Sequence, residues 1–187
     1  MALTEGQLVA WGERIGAETA VPLVLALRGP LGAGKSVLAR AVARGAGVSG
    51  PMPSPTFNLV YRYAAARGID VWHLDLYRLH DPDEVWELGW RELGEGAQIV
   101  LIEWPERAEA LLPKDRWDVW LELPGTAGNG SGSGNVYVYG MGVAGSGSRT
   151  LARTRTRAEE GTGGGGGAEV RIVRAVRCGA APELPAP

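Results

Sequence analysis

The amino-acid sequence predicts a three-layer α/β domain built on a largely parallel sheet. The prediction rests on short, almost wholly apolar runs at Val21 to Leu27 and Ala97 to Ile102, which have the character of strands covered on both faces. It rests equally on the helical patterns that alternate with such runs, and on a glycine-rich turn, Gly29 to Gly34, joining the first run to a helix.

Each element has a local reason. Thr4 followed by Gln7 has the form of a capping box, and Leu8, Trp11 and Ile15 recur on one face of the helix it starts. The run from Val21 ends at the glycine-rich turn, and a helix follows from Lys35 to about Ala46. Met52-Pro53-Ser54-Pro55 is extended, because each proline disfavours helix in the residue before it. Asn58 to Tyr63 and Val71 to Leu76 read as strands joined by a turn at Arg67-Gly68. Asp81 and Pro82 are the cap and first residue of a helix running to roughly Leu93. Trp117 to Leu123 alternates like a strand near a sheet edge.

The composition divides the 187 residues in two. Fifteen of the 29 glycines lie between Gly125 and Gly167, whereas all seven tryptophans and the one phenylalanine precede residue 121. Residues 1–124 hold 17 acids against 12 bases and read as the folded core; the rest hold 4 against 7. Residues 125–168 read as a Gly/Ser-rich insertion, mostly disordered, with a strand at 136–139. Residues 169–177 read as a C-terminal edge strand that pairs with 136–139 as a hairpin, and 178–187 as a disordered tail. A single cysteine excludes a disulfide framework, and no apolar run reaches the length of a membrane span. Glu5, Glu13, Arg14 and Glu18 are foreign to a secretory signal, so a cytoplasmic protein is expected.

The chemistry concentrates in Gly29-Pro-Leu-Gly-Ala-Gly34-Lys35-Ser36, which matches the phosphate-loop pattern G-x-x-x-x-G-K-[ST]. Glycines at that spacing let successive N–H groups curl around phosphates, and the helix beginning at Lys35 turns its positive end toward them. Gly29, Leu31, Gly32, Ala33 and Gly34 are thus candidates to hold a nucleotide by their backbone, Lys35 to reach its terminal phosphates and Ser36 to ligate Mg²⁺. Strand, turn and helix in this order sharpen the fold class to a P-loop NTPase fold. Such a site needs carboxylates, and two strand ends supply candidates, Asp75 and Glu103. Ser54-Pro55-Thr56-Phe57 sits where a nucleotide-sensing loop belongs, although a plain turn has the same composition. His73 reads as a packed strand residue. The tryptophans read as core, except Trp104 beside Glu103.

These motifs, with His73-Leu-Asp-Leu-Tyr-Arg78, Asp81-Pro-Asp-Glu84 and Ile102-Glu-Trp-Pro-Glu106, resemble in order and content the TsaE family over about residues 4–123. That family is the bacterial ATPase of tRNA threonylcarbamoyladenosine biosynthesis. The resemblance implies ATP and Mg²⁺ as ligands, TsaB and TsaD as partners, and tRNA as an indirect partner through that pair. It implies that Lys35 contacts phosphates, Ser36 and Glu103 bind Mg²⁺, and Asp75 is the essential acid near the γ-phosphate. Thr56 belongs to the switch-like loop, and Trp104 is the tryptophan after the metal-binding Glu, at the nucleotide site. Ser36 stands where the family more often has Thr, and Val37 replaces its next hydroxyl. An ATP-holding arginine of some members lies in the C-terminal strands, where Arg149 and Arg171 are the candidates.

Two other readings compete: a small-metabolite kinase, which shares fold and loop, and a nucleotide-gated binding module whose hydrolysis is incidental. Direct tRNA binding is disfavoured by the core's acidic excess.

Overall fold

The elements follow one another in a computed structural model that describes residues 1–124, 137–141, 151–155 and 169–187. In chain order they are β1 (Ala2–Thr4), α1 (Glu5–Glu18), β2 (Leu23–Arg28), α2 (Lys35–Gly45), β3 (Val60–Ala64), β4 (Asp70–Asp75), β5 (Gln98–Glu103), β6 (Arg116–Glu122), β7 (Tyr137–Met141), β8 (Leu151–Arg155) and β9 (Val170–Cys178). Seven strands form one sheet in the order β1-β9-β6-β2-β5-β4-β3. The four central strands, β6, β2, β5 and β4, run parallel; β3 pairs antiparallel with β4 at one side, and at the other β9 pairs antiparallel with β6 and β1 antiparallel with β9.

The apolar character of β2 and β5 follows from their cover. On one face, Leu8, Trp11 and Ile15 of α1 and Leu38 and Val42 of α2 pack on Leu25, Leu101 and Val119. On the other, Val85, Trp90, Leu93 and Leu112 pack on Val24, Val100 and Ile102. The helix α1 starts as expected: Gln7 N donates to Thr4 Oγ1 (3.2 Å) and Thr4 N to Gln7 Oε1 (2.9 Å). It lies tightly against α2, because a methyl group on Gly16 would overlap the Val42 carbonyl and one on Gly45 the backbone of Glu13.

The structure departs from the sequence reading in four places. The segment from Asp81 opens with the expected cap, Asp83 N donating to Asp81 Oδ1 at 2.9 Å, but it is 3₁₀-helical at Pro82–Leu88 and again at Trp90–Glu92. Gly89 divides it at φ 83°, where a side chain would collide with the Arg62 guanidinium stacked on Trp72.

The strand at Trp117 is interior, not at an edge, since β6 bonds β2 on one side and β9 on the other. Its alternation reports a charged sheet face: Arg28 donates to Asp118, and Trp120 lies beneath Arg28 and Arg174. The strand at 136–139 does not pair with 170–176. Instead β7 pairs with β8 in a separate two-stranded sheet, and β9 is covered by β1.

Residues 178–187 are not a frayed tail. Trp11 Nε1 donates to the Pro185 carbonyl (2.9 Å), Trp117 Nε1 to that of Pro182 (2.8 Å), and Ala181 is buried. The expectation of a disordered insertion falls on residues 125–136, 142–150 and 156–168, which lie outside the described residues. Among the described residues no helix is long and apolar enough to cross a membrane.

Candidate functional site

The site forms where β2 gives way to α2. Gly29, Gly32 and Gly34 have φ values of 132°, 80° and 101°, in the region that favours glycine. A methyl group on Gly29 would also overlap the Leu121 carbonyl, so the loop must hug β6. Ala33 N closes the turn by donating to Pro30 O at 3.2 Å, and Gly34 caps α2 with no side chain of its own. Backbone N–H groups at the start of α2 therefore stay available for an anion. Leu31 stands exposed at the crest of the loop.

Lys35 is the first residue of α2, and its ammonium is buried beneath the loop. It donates to the carbonyls of Gly29 and Pro30, each at 2.7 Å, and lies 3.9 Å from the centre of the Trp104 ring. Burial lowers its pKa from the ordinary lysine value, against the opposing attraction of Glu103, Glu106 and Asp75. Trp104 adopts a left-handed backbone (φ 56°, ψ 47°) between the end of β5 and Pro105. Such a conformation is strained for a bulky residue, and here it turns the indole back over Lys35 and against Tyr77, whose ring centre is 5.0 Å away.

The two carboxylates converge because their strands are in register. Asp75 and Glu103 are the last residues of β4 and β5 and pair directly. Ser36 Oγ donates to Glu103 Oε2 at 2.8 Å, so the first turn of α2 is tied to the end of β5. Asp75 Oδ2 accepts from Thr56 Oγ1 at 2.6 Å and from Ser54 Oγ at 3.4 Å, while Tyr77 N donates to Oδ1 at 3.0 Å. The prolines around Ser54 hold that loop extended, and Asp75 N donates to Leu59 O at 3.0 Å, which anchors the loop's far end. These groups line a cleft of about 330 Å³.

All the predicted core residues of the site thus come together: Gly32, Gly34, Lys35, Ser36, Thr56, Asp75, Glu103 and Trp104 line one cleft, with Leu31 at its rim. Gly29 and Ala33 shape the loop from beneath. Arg171 of β9 is buried beside the loop: its Nε would lie 3.8 Å from a methyl group on Gly34, its Nη2 donates to Glu169, and its Nη1 has no partner among the described residues. Arg149 lies outside the described residues.

The residue that the sequence reading passed over is His73. It is fully buried, and its Nε2 meets Glu103 Oε1 at 2.7 Å. The signal was its spacing, since His73 and Asp75 are two apart on a strand and share a face.

The donor set fits a hard cation held jointly with a phosphate. It offers one hydroxyl and carboxylate oxygens at a phosphate loop, as Mg²⁺ sites do. Among the described residues no group of three or more His, Cys, Asp or Glu side chains is arranged to hold a metal unaided.

A glycine loop between a buried strand and a helix, with carboxylates at the ends of adjoining parallel strands, makes this a protein of the P-loop NTPase-like α/β class. A family model described as threonylcarbamoyl adenosine biosynthesis protein TsaE matches residues 3–127. The chain belongs to that family, which acts in tRNA threonylcarbamoyladenosine biosynthesis.

Curated relatives carry the same description, tRNA threonylcarbamoyladenosine biosynthesis protein TsaE. One from Haemophilus influenzae is 42% identical over 92 residues, covering 49% of this chain and 58% of the relative. One from Synechocystis is 35% identical over 108 residues, covering 54% and 66%. The chain therefore spans under two thirds of these relatives' length. A crystal structure of Bacillus subtilis YdiB superposes with a TM-score of 0.58 at 20% identity, covering 96% of this chain and 84% of that one, and bears out the fold.

Proposed function

We propose that the protein is a Mg²⁺-dependent cytoplasmic ATPase that supports turnover of the TsaB–TsaD complex in tRNA threonylcarbamoyladenosine biosynthesis. The observation that carries the reading is the bond from Ser36 to Glu103 at the foot of a phosphate loop, with Asp75 oriented in the neighbouring strand. The loop amides and Lys35 bind and orient the β- and γ-phosphates, Lys35 exchanging its bonds to the Gly29 and Pro30 carbonyls for phosphate oxygens. Ser36 and Glu103 hold Mg²⁺, which when bound neutralises charge on the phosphate oxygens. Asp75, aligned by Thr56 and by Tyr77 N, orients the attacking water. Trp104 covers the Lys35 ammonium and keeps water from it. Arg171, whose Nε lies nearest Gly34 and whose Nη2 is bonded to Glu169, fits the ATP-contacting arginine that the family resemblance implies.

Among the described residues Lys35 is the one cation lining the cleft, so hydrolysis by the chain alone is slow and the partners accelerate it. Phosphate release measured with and without TsaB, TsaD and tRNA tests this. Turnover that rises on adding the partners is expected, together with a loss of about a hundredfold or more in Lys35→Ala at unchanged circular dichroism. Rapid hydrolysis indifferent to the partners, or an active Lys35→Ala, overturns the reading. ATP consumed into a phosphorylated small acceptor identifies a kinase instead.

A further inference from the structure

Glu103 is a buried carboxylate with both oxygens occupied by donors from different elements. Oε2 accepts from Ser36 on α2, and Oε1 meets His73 Nε2 on β4, at 2.8 and 2.7 Å. A carboxylate oxygen only accepts, so Nε2 is the ring nitrogen that carries the proton. The other nitrogen, Nδ1, is buried and has no hydrogen-bond partner among the described residues. The imidazole therefore makes one polar bond, and that bond ends on the proposed metal-binding carboxylate. Leaving Nδ1 unpaired is unfavourable in a core, and a packing role alone would be served better by Leu or Phe.

We infer that His73 is a positioning residue for the metal site: its Nε2–H fixes the rotation of the Glu103 carboxylate so that Oε2 faces Ser36 and the cation. Outer-shell donors of this kind orient ligating groups in metal sites, and their loss typically weakens metal binding about 10–100-fold. Without the bond, Oε1 would be buried with no donor, and the carboxylate would turn away from the first turn of α2. The inference rests on the Mg²⁺ reading above and adds to it a third element, β4, which then contributes to both carboxylates: Asp75 directly, and Glu103 through His73.

The test compares His73→Gln, whose amide can present a donor near the position of Nε2, with His73→Met, of similar length but no donor. Affinity for a fluorescent ADP analogue is titrated against Mg²⁺, with melting temperature recorded for each variant. The Met variant is expected to raise the half-saturating Mg²⁺ concentration about tenfold or more, with metal-free nucleotide affinity unchanged. The Gln variant is expected to stay within about threefold of the parent.

A Met variant with parental Mg²⁺ dependence, or equal shifts in both variants, overturns the inference and leaves the ATPase reading standing. Nucleotide binding that ignores Mg²⁺ in the parent protein overturns both. Nuclear magnetic resonance of the unaltered protein gives a readout independent of variant folding. The protected His73 ring N–H signal is expected to shift when Mg²⁺ joins the ADP complex, and a signal that stays in place counts against the role.

Discussion

Two buried carboxylates sit on opposite faces of the same sheet and are treated in opposite ways. Asp118, on β6, is surrounded by cations: Arg28 reaches it at 2.7 Å and Arg116 at 3.2 Å, and Cys178 Sγ donates to its second oxygen at 3.2 Å. Burial works against its charge, yet the hydrogen bonds from Arg28 and Cys178 outweigh that and hold its pKa below the usual carboxylate range. Glu103, on β5 under the helices, receives a hydroxyl and an imidazole and, among the described residues, no arginine. The first carboxylate has its charge balanced within the protein. The second has its orientation set and its charge left to the Lys35 ammonium nearby and to whatever cation arrives. The charge of a buried acid thus says little about its role, and the identity of its donors says much more.

Removing Asp118 gives the largest effect on stability. Asp118→Ala leaves Arg28, only 13% exposed in its side chain, without its buried partner, and breaking a buried pair costs about 3–5 kcal/mol. The lower end is expected because Glu109 still pairs with Arg28 at 2.7 Å. Denaturant unfolding measures it, and a loss under about 1 kcal/mol would erase the contrast.

Glu103→Gln reverses the pattern. Its oxygen can still accept from His73 and its amide can donate to Ser36, so stability changes by about 1 kcal/mol or less. The Mg²⁺ dependence of nucleotide binding is expected to disappear, and its persistence would remove Glu103 from the site.

Acid titration sharpens the comparison further. The folded pKa of Asp118 lies below its unfolded value of 3.8, so its stabilisation is complete above that pH and fades as pH falls through the folded pKa. Urea midpoints collected below about pH 4 should show this fading in the parent and not in Asp118→Asn. Cys178→Ala is expected to cost no more than about 1 kcal/mol for one lost hydrogen bond, with no change in nucleotide binding. Burial and Asp118 push that thiol's pKa up, so it should also react slowly with alkylating reagents, as a thiol-labelling time course would show.

The legible part of this protein was whatever is encoded locally. The phosphate loop, the Thr4 cap and the strand ends at Asp75 and Glu103 depend on neighbours in sequence, and the structure has them as read. What depends on distant partners was hidden. His73 looked like core because Glu103, 30 positions away, becomes its neighbour only when β4 and β5 pair. The alternation in β6 suggested an edge because polar residues facing Arg28 and Arg174 resemble polar residues facing water. The proline-rich end looked frayed because its function is to offer carbonyls, which any residue has, to Trp11 and Trp117.

The close contact of α1 with α2 has a mechanical consequence. Gly16 and Gly45 let the two backbones meet with no side chain between them, so neither helix can slide without the other. Through α1 the assembly continues to β1 and, by Trp11 and Arg14, to residues 185 and 186. Lys35 and Ser36 therefore stand on an anvil rather than a spring. Thr56 stands on the opposite wall, on a loop tied to β4 by the hydroxyl bonds of Thr56 and Ser54 to Asp75.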